Sequence, residues 1–247
     1  MAKLGLQLYS VRNEMETDME KTLHEVARMG YECVEFAGFF GKSADEVKKI
    51  LDDCGLEAAS VHQSFRTVLE DTENTLAFMK KIGIKYFIMP GFGSDYHAGG
   101  KYFEQTVEEL KETARLLGGI GVTFGYHNHY AEFEKLDGKF ILDILFERVP
   151  EMTPEIDTAW VNYAGYDPAE YIRRYNGRLK IVHLKDYLKT DDKFEFKYVG
   201  GGCVNVPAVV KSATECGAEY FIVEQDESND ISPMESARRS IEYLKNI

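Results

Sequence analysis

The chain reads as an α/β protein, a single-domain (β/α)8 TIM barrel spanning residues 1–247, and three observations predict that class. Eight short apolar runs alternate with helix-like amphipathic stretches along the sequence, the pattern of parallel strands joined by crossover helices. Their spacing averages about 31 residues, the size of one strand–helix unit. No GxGxxG follows the first apolar run, so the open dinucleotide-binding sheet is disfavoured.

Taken in order, the strands are expected in LGLQLYS (4–10), CVEFAG (33–38), EAASVHQ (57–63), KYFIMPG (85–91), GVTFGYH (121–127), TPEIDT (153–158), LKIVHLK (179–185) and EYFIVEQ (219–225). Helices are expected between them. DMEKTLHEVARMG ends at Gly30, a favourable residue just past a helix end. SADEVKKILDDCG opens at Ser43 with Glu46 three residues on, the capping-box spacing, and closes at Gly55. DTENTLAFMKKIG, YFEQTVEELKETARLLGGIG, GKFILDILFERV, DPAEYIRRYNG, VPAVVKSATECG and SPMESARRSIEYLKNI repeat the grammar. The least regular region, 187–207, is expected to be a long loop at the active-site end.

Composition excludes several functions. The formal net charge is −13, and no Lys/Arg cluster offers a nucleic-acid face or a match for an anionic membrane. That acidity would instead concentrate cations. The cysteines Cys33, Cys54, Cys203 and Cys216 form no CxxC; Cys33 and Cys54 read as reduced core thiols. The start MAKLGLQLYSVRNE lacks an apolar leader with a small-residue cleavage site, and no run approaches membrane-spanning length. A cytoplasmic protein is expected.

The C-terminal ends of barrel strands carry the active site. The polar residues near those ends are Gln7, Glu35, His62, His127 with Asn128 and His129, Asp157, His183 with Lys185 and Asp186, and Glu224 with Gln225. Only the fourth strand, ending in IMPGFG, lacks such a polar or ionisable group. Each residue alone has a structural explanation. Together they place ionisable groups at one mouth, where burial is costly unless they are paired or bind a ligand. His127, Asp157, His183 and Glu224 fall on the fifth to eighth strands. Two imidazoles and two carboxylates suit a divalent Mn, Zn, Co or Fe ion.

The runs EIDTAWV, VHLKDY and FIVEQDES resemble the xylose-isomerase-like TIM-barrel superfamily, specifically its sugar phosphate isomerase/epimerase branch. The resemblance extends from GLQLYSVR to PMESARRSIEYL. It implies a metal held by Glu, Asp, His and Glu from the last four strands, which carries onto Asp157, His183 and Glu224. The first glutamate position is His127, in Tyr126-His127-Asn128-His129. A histidine that many members place three residues after the aspartate is here Trp160. Barrels of this type often pair, so a homo-oligomer is compatible with the resemblance.

The expected chemistry is removal of a proton beside a carbonyl, with an enediolate intermediate. Glu224 is the candidate ligand and base, and His127 a ligand or the opposing base. Lys185 is a candidate oxyanion or hydroxyl partner, with an ion pair to Asp186 or Asp157 as its alternative. Glu35, His62, His129 and Trp160 are candidate substrate contacts; His129 equally suits a loop-anchoring hydrogen bond. Tyr9, Phe39 and Phe40 offer apolar faces or core. Glu132 and Glu134 lie in the next loop, where surface solvation is the expectation. GFGSDYHAGG is expected to be a mobile loop at the mouth, and neither His24 nor His97 receives a role. The leading reading is a metal-dependent isomerase or epimerase of a keto sugar or cyclitol. A dehydratase or other lyase on a similar substrate is the alternative, followed by a noncatalytic sugar-binding barrel. A small-molecule substrate, with neither nucleic acid nor membrane, is expected in each case.

Overall fold

The computed structural model describes residues 2–190 and 193–247. Eight parallel strands close into a barrel in chain order: Lys3–Gln7, Cys33–Phe36, Glu57–His62, Tyr86–Met89, Thr123–His127, Thr153–Asp157, Ile181–Leu184 and Tyr220–Val223. Seven lie within the predicted runs, and the first begins one residue before its run, at Lys3. The first pairs with the last, Lys3 opposite Tyr220, so the barrel strands leave no free edge.

The crossover helices also follow the sequence. Met19–Met29 and Ala44–Cys54 end at Gly30 and Gly55, whose positive φ of 97° and 70° suits glycine. The Ser43–Glu46 capping box forms in both directions. The remaining principal helices are Thr72–Ile82, Phe103–Gly118, Ile141–Arg148, Pro168–Arg173, Val206–Glu215 and Pro233–Leu244.

Alternation along the strands separates two cores. Outward residues such as Leu6, Val34, Phe36, Phe87, Phe124, Ile156 and Val182 pack beneath the helices. Inward residues at the N-terminal end form a smaller cluster of Cys33, Ala59, Tyr86, Ile88, Ile181, Tyr220 and Ile222. Gly125 is required there: a Cβ would sit 2.5 Å from Ile88 Cδ1 and 2.9 Å from the Thr153 carbonyl oxygen. Toward the other end, the inward positions turn polar.

One expectation needs correction. The region after the seventh strand is not simply a loop, because Asp186–Lys189 and Phe194–Lys197 pair as an antiparallel hairpin, with Tyr187 opposite Phe196. The alternation in KFEFKY is that of a strand; residues 191–192 of this segment lie outside the described residues. In the glycine-rich loop after the fourth strand, His97 and Ala98 are buried and Ser94–Tyr96 forms a short 3-10 turn. Among the described residues, no helix is long and apolar enough to cross a membrane.

Candidate active site

The polar end of the barrel has two layers, set by the two-residue period of a strand. In the deep layer, His127, Glu155 and His183 join Glu35 and His62. All are buried except His62, which is nearly so. Glu155 lies among three imidazoles: its Oε2 is 2.6 Å from His62 Nε2 and 3.2 Å from His127 Nδ1, and its Oε1 is 3.2 Å from His183 Nε2. Glu35 Oε1 is 2.6 Å from His183 Nε2 and 3.1 Å from His62 Nε2, and it accepts from Gln7 Nε2 at 2.7 Å.

The mouth layer is built around Lys185. Its fully buried ammonium lies 2.7 Å from Glu224 Oε2, 3.0 Å from Asp226 Oδ1 and 3.2 Å from Asp157 Oδ2. Asp157 Oδ1 caps the next helix by accepting from Trp160 N at 3.0 Å, which leaves Oδ2 for the site. His183 Nδ1 reaches Glu224 Oε2 at 3.0 Å, joining the layers.

These contacts set the protonation. Burial alone would neutralise His183 and His62, but it is outweighed at His183 by Glu155, Glu35 and Glu224 and at His62 by Glu35 and Glu155, so both pKa values rise. At His127 burial outweighs the contact with Glu155, and the neighbouring His183 and His62 add to it, so its pKa falls well below the ordinary range. Burial would raise Glu224, yet Lys185 and His183 hold it well below. The Lys185 pKa is raised because Asp157, Glu224 and Asp226 outweigh its burial. Asp226 is pushed up to about 6, chiefly by burial.

Above the layers opens a cavity of about 520 Å³, walled by Tyr9, His62, His127, His129, Trp160, Lys185, Phe196, Glu224 and Asp226 among others. A flank groove of about 500 Å³ is different, for its central Asp143 is already taken by Tyr171, Tyr175 and Arg174.

The structure brings most sequence candidates together. His127, Asp157, His183 and Glu224 present ligand atoms within 4.8 Å of one another. The buried Asp157 Oδ2 makes no hydrogen bond, so this donor set fits a divalent cation. The His129 ring faces the cavity, and its backbone N–H donates to Glu132 at 3.0 Å.

Other expectations change. Glu35, expected at a substrate hydroxyl, is wholly buried beneath the cavity wall, because its carboxylate turns down to Gln7, His62 and His183. Of the two readings for Phe39, the core one holds: it packs on Phe36 and Phe78. Glu132, expected in solvent, is buried and accepts from the Tyr126 hydroxyl at 2.7 Å. Asp186 does not pair with Lys185; it accepts backbone N–H bonds from Tyr187, Gly200, Gly202 and Val204. Glu155 and Asp226 were missed by sequence reasoning, although both stand two residues from a candidate on the same strand or its extension.

The fold and site together define a class: a closed parallel barrel, apolar at one end and lined at the other by imidazoles and carboxylates around a cavity. Residues 23–247 match the model of the xylose isomerase-like TIM barrel family, and the chain belongs to that family. It is similar to an inosose dehydratase of Geobacillus kaustophilus, 25% identical over 270 residues that cover 91% of this chain and 86% of that protein. It is also similar to the solved sugar phosphate isomerase/epimerase of Parabacteroides distasonis, with a TM-score of 0.83 and 22% identity, covering 100% of this chain and 97% of that one. A further likeness is to the IOLI protein solved with a zinc atom, TM-score 0.74 and 13% identity, covering 99% of this chain and 97% of that one. At these identities the solved structures speak for the fold alone.

Proposed function

We propose that the chain is a divalent-metal-dependent enzyme that removes a proton beside the carbonyl of a keto sugar or cyclitol. The observation that carries this reading is one cavity walled by both a carboxylate–ammonium group and three imidazoles. The relatives named as a dehydratase and as an isomerase/epimerase support a sugar or cyclitol substrate.

His127 and His183 belong to both possible metal sets. Asp157 and Glu224 complete the set expected from sequence, and His62 and Glu155 complete a deeper one. A divalent ion at either would polarise the substrate carbonyl and stabilise developing negative charge on its oxygen. Glu224, in the cavity wall, takes the α-proton. Lys185 holds Glu224 in place and donates to a substrate oxygen. The wall across the barrel from the eighth strand is the fourth strand's Pro90, flanked by His62, His127 and His129. A proton returned from that side gives isomerisation or epimerisation. Trp160 and Phe196 lie within 5.7 Å of each other, centroid to centroid, and give the sugar an apolar face.

A second outcome, loss of a β-hydroxyl, is favoured by the inosose dehydratase relative, which aligns over most of both chains. The two separate in D2O. Metal-loaded protein with a panel of keto sugars and ketocyclitols should exchange the α-proton for deuterium by NMR. A product of unchanged mass apart from deuterium indicates isomerisation or epimerisation; an absorbing enone indicates dehydration. Neither exchange nor elimination across the panel, with substrate still bound, would leave the noncatalytic sugar-binding barrel.

A further inference from the structure

The two metal sets share their imidazoles through opposite nitrogens. His127 turns Nδ1 toward Glu155 and Nε2 toward Asp157, at 3.2 and 3.8 Å. His183 turns Nε2 toward Glu155 and Glu35, and Nδ1 toward Glu224. One ion can therefore occupy one layer or the other, with the remaining carboxylates fixing the imidazoles from behind.

We propose that the ion binds in the deep set, His62–His127–Glu155–His183, and that the cation of the mouth set is Lys185. This rests on the metal dependence proposed above. Three observations carry it. First, the space between Asp157 and Glu224 is already served by an ammonium 3.2 and 2.7 Å from their oxygens. A dication held by the same two oxygens would face that buried like charge at close range. Second, buried polar atoms without a hydrogen-bond partner gather in the deep layer: Glu35 Oε2, Glu155 Oε1 and His127 Nδ1, against Asp157 Oδ2 alone among the mouth carboxylates. Third, Glu35 and Glu155 have no exposed surface, so only a cation or imidazolium can offset their charge. At the mouth Asp226 is 26% exposed, and the equally buried Asp157 already has the Lys185 ammonium 3.2 Å away.

Three imidazole nitrogens and one carboxylate form a borderline donor set, suited to Zn²⁺, Co²⁺, Fe²⁺ or Mn²⁺. Glu35 Oε1, fixed by Gln7, is a further oxygen against the same His62 and His183 nitrogens. Glu224 then stands behind His183, accepting from Nδ1 in the carboxylate–histidine–metal arrangement. His62 and His127 line the cavity, so a substrate oxygen reaches the ion from above.

The test measures Zn²⁺ and Mn²⁺ affinity of the full chain and four variants, with circular dichroism as a check on folding. His62→Gln and Glu155→Gln should weaken binding by more than about 100-fold. Asp157→Asn and Glu224→Gln should cost only the ~10–100-fold of an outer-shell change. The reverse ranking overturns the deep site and leaves the metal-dependent reading intact. A wild-type protein that binds neither ion overturns both. Pulsed EPR of the Mn²⁺-loaded wild type, with and without ¹⁵N-histidine, needs no variant. Three coordinated imidazoles support the deep set, and two overturn it.

Discussion

The deep and mouth layers use the same carboxylate chemistry but opposite kinds of cation. In the deep layer, Glu35 and Glu155 face His62, His127 and His183. In the mouth layer, Asp157, Glu224 and Asp226 share Lys185. An imidazole can lose its proton and present a lone pair to a metal; an ammonium at the centre of three carboxylates has no such second role. The difference teaches that ligand-like residue types do not by themselves locate an ion. The cation already built into the chain matters as much.

Lys185→Met attacks that difference most directly and carries the largest expected effect. It leaves the buried Asp157 and Glu224 carboxylates without their ammonium, and breaking a buried pair from one side costs about 3–5 kcal/mol. Denaturant unfolding of the metal-free protein should show that loss. Lys185→Met/Glu224→Gln should lose less than the sum of the two single changes, because the carboxylates and the ammonium form one network. Additivity within about 0.5 kcal/mol would mean the mouth layer is not organised by Lys185. Divalent ions should also raise the melting temperature of Lys185→Met more than that of the wild type, since the mouth carboxylates are then free to take a cation.

A smaller effect is expected where the fifth-strand histidines join their loop. Glu132 accepts from Tyr126 and from the His129 backbone, with His97 Nε2 3.5 Å away. Burial would raise its pKa, but His97 and the Tyr126 hydroxyl outweigh it and the value falls below the ordinary 4.5. A carboxylate depressed on folding adds stability that is complete above the unfolded pKa and fades as pH falls through the folded one. Glu132→Gln should therefore cost about 1–3 kcal/mol near neutrality, with the gap to wild type narrowing in acid below 4.5. A gap independent of pH would assign the effect to packing. Metal affinity should stay within a few-fold of wild type, because the loop is anchored above both candidate sets.

Much of this was legible in the sequence for a physical reason: apolar runs and glycine helix ends report backbone structure locally. All eight strands followed from that signal, and so did the placement of His127, Asp157, His183 and Glu224 at one mouth. The division into layers was not read, because the polar residues at each strand end were weighed as one ring at the mouth. Parity carries the rest. His127/His129, Glu155/Asp157, His183/Lys185 and Glu224/Asp226 are each two residues apart, so members of a pair face the same way. The same rule turns Asn128, Asp186 and Gln225 aside. They bond the Asp157 backbone, the 200–204 loop and Ser236 respectively. The Lys185 pairing distances and the pinning of Glu132 depend on contacts between distant segments, and no local pattern encodes them.

The smallest effect concerns the rim, where the comparison reaches substrate. Trp160 is stacked by Phe194 of the hairpin at 6.0 Å and 8° between planes, and Lys185 Nζ lies 5.5 Å from its ring centre. Phe194 is 37% exposed and is not part of the cavity wall, so its contribution passes through the orientation of Trp160. Removing one aromatic pair costs about 0.5–1.5 kcal/mol. Phe194→Ala should thus weaken binding of a substrate or product sugar by roughly 2- to 13-fold, while metal affinity and kcat hold. The indole ring would then be positioned by the hairpin for substrate alone. A parallel drop in metal affinity would show that the mouth and deep layers communicate through Trp160 and Lys185, and that the two are less separate than their charge chemistry makes them.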